Sequence, residues 1–195
     1  DVPFALTQIR AMARGDLSGR LDLERMAMTG HSFGAVSTQA AAGQVFARGA
    51  SMPAEGFAAF VAMSPSGDSA GNDEAAFAKV SRPFMCLTGT DDSFGINPSV
   101  NSAADRLRVY AALPKALPAM QVVLTGGDHF VFDGRALTGG PRPGDARHQE
   151  IIDASVLAFL NAMLREDRPA RAFLREGLAA AAGPDARIDW RAIPA

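Results

Sequence analysis

Four short apolar runs recur along the chain, around Met26–Thr29, Phe57–Met63, Pro83–Thr88 and Met120–Thr125, and turn residues bound each one. Continuous apolar stretches of this length read as strands of a parallel sheet buried on both faces. Between them the period changes. Val2, Leu6, Ile9 and Ala13 fall on one face of a helix, and the small residues from Ala35 to Ala42 read as a second helix running to about Arg48 and Gly49. A short helix follows the loop from Ser64 to Asp73, and Asn101–Leu113 reads as another helix. A glycine- and proline-rich loop, Thr138–Gly144, precedes a long helix from His148, whose stripe of Ile152, Val156, Phe159, Leu160 and Met163 reads as core packing. The alanine-rich stretch Ala170–Ala182 reads as one more helix, ended by Gly183-Pro184. Strands alternating with helices predict an α/β fold with a mostly parallel sheet and flanking helices. Neither an internal repeat nor a second domain is evident, so residues 1–195 read as a single domain.

Composition narrows the function more than the fold. With 195 residues, 48% of them apolar, and a net charge of −2, the chain suits a globular core and not disorder. No basic stripe marks a nucleic-acid surface. The arginines near the end (Arg165, Arg168, Arg171, Arg175, Arg187, Arg191) are interleaved with Glu166, Asp167, Glu176, Asp185 and Asp189, which reads as a solvated mixed-charge face. No apolar stretch is long enough to span a membrane. The lone Cys86 has no partner for an internal disulfide, and no spacing suggests a zinc or calcium site, so neither metal nor cofactor is expected.

The chemistry gathers at the ends of the strands. Gly30-His31-Ser32-Phe33-Gly34 fits the G-x-S-x-G pattern at a strand-to-helix turn, which makes Ser32 a candidate nucleophile; both glycines read as sites where a side chain would collide with the adjoining strand or helix. A serine hydroxyl needs a base within hydrogen-bond reach and a third group to orient that base. The run ending at Thr88 leads into Gly89-Thr90-Asp91-Asp92-Ser93, and the run ending at Thr125 leads into Gly126-Gly127-Asp128-His129-Phe130. A carboxylate and a histidine therefore each follow a strand end, and in open parallel sheets the ligand crevice lies outside those ends. His129 is the candidate base, because His31 sits inside the turn beside Ser32 and His148 sits near a helix start. Asp91 and Asp92 both remain candidates for the orienting acid. The Ser64-Pro65-Ser66-Gly67 loop also ends a strand and borders the crevice. Ser66 lacks the paired glycines of a nucleophile. His31, Ser64, Phe94 and Phe130 are candidate pocket residues.

In Leu21–Gly34, in Leu87-Thr88-Gly89-Thr90-Asp91-Asp92-Ser93 and in Gly127-Asp128-His129-Phe130-Val131-Phe132, the chain resembles the α/β-hydrolase family. Within that family it resembles the dienelactone-hydrolase-like and platelet-activating-factor-acetylhydrolase-like serine esterases. The resemblance implies a Ser32–His129–Asp92 triad, with Asp92 selected over Asp91 by its spacing from the glycine, and an oxyanion hole in which the Phe33 N–H is one donor. A dienelactone hydrolase uses a cysteine nucleophile, so Ser32 favours ester hydrolysis. The family also implies strands before the one ending at Ser32. The chain therefore reads as the C-terminal half of the fold with its N-terminal strands absent, a missing segment being expected to complete the sheet and supply the second oxyanion donor. Taken alone, such a half is expected to be poorly soluble or inactive, or else to be completed by another chain, because its first strand has an open edge. Little room for a bulky cap points to a small-molecule ester with a short acyl group, acetyl included. A peptidase on the same fold and a non-catalytic binding protein are the other readings.

Overall fold

The computed structural model describes residues 2–94, 102–135 and 140–195. Five strands form one sheet in sequential order: β1 (Met26–His31), β2 (Phe57–Met63), β3 (Phe84–Asp91), β4 (Ala119–Asp128) and β5 (Ala186–Arg191). The first four are parallel, and β5 runs antiparallel along β4. Helices α1 (Val2–Arg14), α2 (Phe33–Ala42), α3 (Asp73–Phe77), α4 (Ala103–Ala112) and α5 (Asp145–Leu164) alternate with these strands, and α6 (Arg168–Ala172) and α7 (Leu178–Ala182) flank a π-turn over Phe173–Gly177. This is the expected α/β architecture.

Strand residues point alternately to the two faces, and the core divides accordingly. Ala59, Val61, Met85, Leu87, Met120, Val122 and Leu124 meet Ile151, Ile152, Phe159 and Ala162 of α5 on one side. Phe60, Ala62, Phe84, Cys86 and Ala119 meet Ala35 and Ala41 of α2, Phe77 of α3 and Val109 of α4 on the other. The strands had to be apolar at every position because helices cover both faces. The stripe anticipated in α5 also packs inward, with Ile152 and Phe159 buried and Val156, Leu160 and Met163 partly buried against the same core.

Several boundaries move. Helix α2 stops at Ala42, not near Arg48, because Gly43 adopts a left-handed conformation (φ 109°) and its N–H closes onto the carbonyls of Gln39 and Ala40. Helix α5 begins at Asp145, one turn before His148. Helix α4 is capped by Ser102, whose hydroxyl accepts from the Asp105 N–H while the Asp105 carboxylate accepts from the Ser102 N–H. Asn101 and residues 138–139 of the anticipated loop lie outside the described residues.

The C-terminal charge pattern needs the largest correction. Arg187, Asp189 and Arg191 alternate with Ala186, Ile188 and Trp190, a period of two, and the segment is an edge strand. Ala186 and Ile188 pack into the α5-side core. On the other face Arg187 pairs with Asp189 at 2.9 Å, and the Arg191 guanidinium lies 4.4 Å from the Tyr110 ring centre and donates to the Tyr110 and Leu113 carbonyls. Charged side chains suit an exposed edge. At the opposite edge, β1 pairs only with β2 among the described residues.

The turn leaving β1 depends on Gly30. A Cβ there would overlap the backbone carbonyl of Gly34, which sits directly across the turn. Gly34 itself faces open space, so the steric role expected of both glycines belongs to Gly30 alone. Gly30→Ala should cost about 2 kcal/mol or more in unfolding free energy, since overpacking against backbone cannot relax through a side chain. Gly34→Ala should stay within about 1 kcal/mol of the parent, a cavity-free change in a helix that favours alanine. Urea denaturation of the two variants checks the contrast.

Candidate functional site

Ser32 follows the last residue of β1 and precedes α2 at a backbone φ of 57°, a strained value for a residue with a side chain. Its N–H donates to the Met63 carbonyl at the end of β2 (3.0 Å), which pins the strained residue to the neighbouring strand. The hydroxyl is left projecting from the sheet's carboxyl edge. The Phe33 and Gly34 amides, first in α2, have no hydrogen-bond partner among the described residues. They form a small donor pair at the positive end of a helix.

Asp92 and His129 arrive from β3 and β4. Asp91 pairs with Asp128 across these strands, so the next residues, Asp92 and His129, leave adjacent strands side by side. His129 Nδ1 lies 2.8 Å from Asp92 Oδ1, and His129 Nε2 lies 2.9 Å from Ser32 Oγ. Nδ1 donates to the carboxylate, which leaves Nε2 as acceptor for the serine proton. An imidazole held in this way is able to take the hydroxyl proton as the oxygen attacks an electrophile.

The Asp92 carboxylate is fully buried. Burial alone would push its pKa up, but the His129 hydrogen bond, the neighbouring Ser64 hydroxyl, the Arg106 charge and the Thr88 hydroxyl (2.8 Å to Oδ2) outweigh it and hold the pKa below the usual carboxylate value. The Ser64 hydroxyl faces the group but makes no hydrogen bond of good geometry. Asp91 is exposed, and its side chain accepts from the Thr90 hydroxyl at 2.9 Å.

The candidate pocket residues occupy distinct places. Phe94 is half exposed and stacks on the His129 ring, centres 4.5 Å apart and planes 11° apart. Phe130 meets both rings edge-on, at 5.1 Å from Phe94 and 5.6 Å from His129. Phe33 is 82% exposed beside Ser32. His31 packs behind His129 with ring centres 4.7 Å apart, and burial followed by the nearby imidazole lowers its pKa below the ordinary histidine value. Ser64 is buried at the end of β2 with φ 56°. His148 ties α5 to β4, its Nε2 donating to the Thr125 carbonyl at 2.9 Å. A cleft of about 590 Å³ lined by Gly43, Pro53, Gly56, Lys79 and Arg82 opens at the other end of the strands, away from these groups.

Residue types alone did not reveal two supports. Arg106 of α4 is buried against Asp92, with Nε 3.6 Å from Oδ1. Arg135, after the short 3-10 helix His129–Asp133, is buried between Asp128, at 3.0 Å to both oxygens, and Asp145. Arg142 also reaches Asp128, at 2.6 Å. This brace fixes the residue immediately before His129. All four residues lie within the short stretch from Asp128 to Asp145, but their pairing is set by the fold. Among the described residues, no three histidine, cysteine or acidic side chains group as metal ligands, and no helix is long and apolar enough to cross a membrane.

Comparison with known proteins bears on the fold. No protein-family model matches the chain, and no curated protein matches its sequence. Among solved structures, a puromycin-hydrolyzing peptidase of Mycobacterium tuberculosis matches with a TM-score of 0.54 and 19% identity, over 82% of this chain. The two share a fold. The chain spans 24% of that peptidase's length.

The Asp145 carboxyl is held at about 2 by Arg135, below its ordinary 3.8. A carboxylate depressed in the folded state contributes stability that is fully present above 3.8 and disappears as pH falls through about 2. Asp145→Asn should therefore destabilise the protein at neutral pH, and the gap between variant and parent should narrow between pH 4 and pH 2. Denaturant titrations across that range measure it.

Proposed function

We propose that the chain carries the catalytic centre of a serine hydrolase that cleaves carboxylic esters, with a preference for short acyl groups, acetyl included. In this reading Ser32 attacks the ester carbonyl and His129 takes its proton. Asp92 stabilises the resulting imidazolium, and the acyl-enzyme is released by water activated at the same ring. The Phe33 N–H, with the Gly34 N–H beside it, faces the developing oxyanion. The observation that carries the reading is the continuous chain of hydrogen bonds from Asp92 through His129 to Ser32, at 2.8 and 2.9 Å, with the acid buried and the serine on a strained turn. The open edge of β1 is where we would seat the further strand that the family resemblance implies.

An amide substrate is the second reading, favoured by the description of the mycobacterial neighbour as a peptidase. The same three side chains would serve either substrate, and the difference lies in protonating the leaving amine. Matched ester and amide substrates with one acyl group separate the two. A non-catalytic binding protein would fold with the same geometry but resist acylation.

A fluorophosphonate probe tests the centre directly. Labelling is expected at Ser32, mapped by mass spectrometry, and is expected to vanish in Ser32→Ala. Ester turnover should fall roughly 10⁴-fold in His129→Ala and Asp92→Asn, the scale set by losing the base or its orienting group. Well-folded protein that takes up no probe would overturn the assignment.

A further inference from the structure

Arg106 has no role in the mechanism above, yet it is 2% exposed and its cation faces the triad acid. Its Nη1 donates to the Ser64 carbonyl (3.2 Å), the Pro65 carbonyl (3.2 Å) and the Ser66 hydroxyl (2.8 Å), all in the turn that closes β2. Its Nε makes no hydrogen bond and lies 3.6 Å from Asp92 Oδ1, the oxygen that also accepts from His129. Three neutral oxygens do not require a cation. Gln39 holds the same turn with an uncharged amide, donating to the Ser66 carbonyl at 2.7 Å and accepting from the Ser66 N–H at 3.1 Å. Burying a guanidinium is costly unless an anion compensates it, and Asp92 is the fully buried anion within reach.

We propose that Arg106 is a positioning residue for the Ser32 centre: its cation keeps the Asp92 carboxylate charged and turned toward His129 Nδ1, while Nη1 locks that carboxylate to the turn after β2. The inference rests on the hydrolase reading and deepens it. The carboxylate is then held on both oxygens, Oδ2 by Thr88 and Oδ1 by His129 and the Arg106 charge. The other groups bearing on Asp92 and its partner are the Ser64 hydroxyl after β2, His31 from β1, whose ring lies 4.7 Å from that of His129 with the planes tilted by 45°, and Asp105, which precedes Arg106 on α4 and is itself bonded to Arg108 and Ser102.

The test compares Arg106→Gln with Arg106→Lys through the pH dependence of Ser32 labelling by a fluorophosphonate. A fixed cation beside the pair opposes a second positive charge on the ring, so its removal should move the acid limb of the profile upward by about one pH unit. Arg106→Lys keeps the charge and should leave the limb in place while slowing the reaction. A folded Arg106→Gln protein whose limb does not move would make Arg106 a tether of the turn only, and the proposal would fall. Proton NMR of the Nδ1–H of His129 in the Ser32→Ala background gives a readout that needs no reaction. That signal should persist with Arg106 and with Lys, and broaden with Gln. If the parent takes up no probe, the hydrolase reading fails and the NMR comparison still decides the role of Arg106. If Arg106→Gln does not fold, the Arg106 Nε–H resonance of the unsubstituted chain decides: it must shift with the same midpoint as the His129 ring protons, and indifference to that transition overturns the proposal.

Discussion

The pairing of Asp91 with Asp128 across β3 and β4 governs the geometry of this protein more than any side-chain contact does. Backbone hydrogen bonding sets two chain ends next to each other, and the residue that follows each one, Asp92 and His129, inherits the separation. Parallel register extends the argument to Ser32. His31 pairs with Met63, and Met63 with Leu87, so β1 and β2 end level with Leu87 while β3 runs on to Asp91 on the same side of the sheet. Three side chains from residues 32, 92 and 129 meet because the ladder leaves them nowhere else to go.

That register is not uniform, and its irregularity is built from glycine. Gly89 pairs with Leu124 while Asp91 pairs with Asp128, so β4 carries two more residues than β3 over this interval. The surplus bulges outward, with the Gly126 N–H (φ 71°) donating to the Thr90 hydroxyl at 2.8 Å. A Cβ at Gly89 would overlap the Gly127 carbonyl, which shows how closely the two backbones approach. Bulges of this kind re-aim the residues after them. Here the re-aimed residue is His129, and the Arg135 brace on Asp128 and Asp145 then keeps the segment from swinging back.

The four parallel strands were legible because burial on both faces demands unbroken apolar runs, and Ala59–Ala62 and Phe84–Leu87 satisfy both helical layers at once. The strand ends were legible for the complementary reason, since polar residues directly after such runs have no place in the core. Strand β5 was hidden by its chemistry: an edge strand carries charges, and Arg187, Asp189 and Arg191 resemble a solvated face until Ala186, Ile188 and Trp190 are read at period two. The choice between Asp91 and Asp92 was legible only by resemblance, because which of two adjacent carboxylates turns inward depends on where β3 stops pairing. Arg106 was illegible. Its spacing on α4 relative to Asp92 has no meaning until α4 is packed against β3, and only burial at the far side of the carboxylate separates it from the exposed arginines.

The buried carboxylate sets the final constraint. An ionised group at zero exposure is tolerated only where several donors converge on it, and a convergence of donors is also what holds a side chain in one orientation. The desolvation that makes Asp92 costly therefore also makes it rigid. Thr88 comes from its own strand, His129 from the next, and Arg106 from the helix covering both, so no single element can shift without unpairing the charge. Ser32, by contrast, is half-buried and strained, its backbone held by the N–H bond to Met63 and by its carbonyl, which accepts from the Ala35 and Val36 N–H groups. The Ser32 end of the constellation stays open to solvent while the Asp92 end is sealed. Under the proposed mechanism, the group that exchanges partners lies at the open end, and the group whose charge must not change lies at the sealed one.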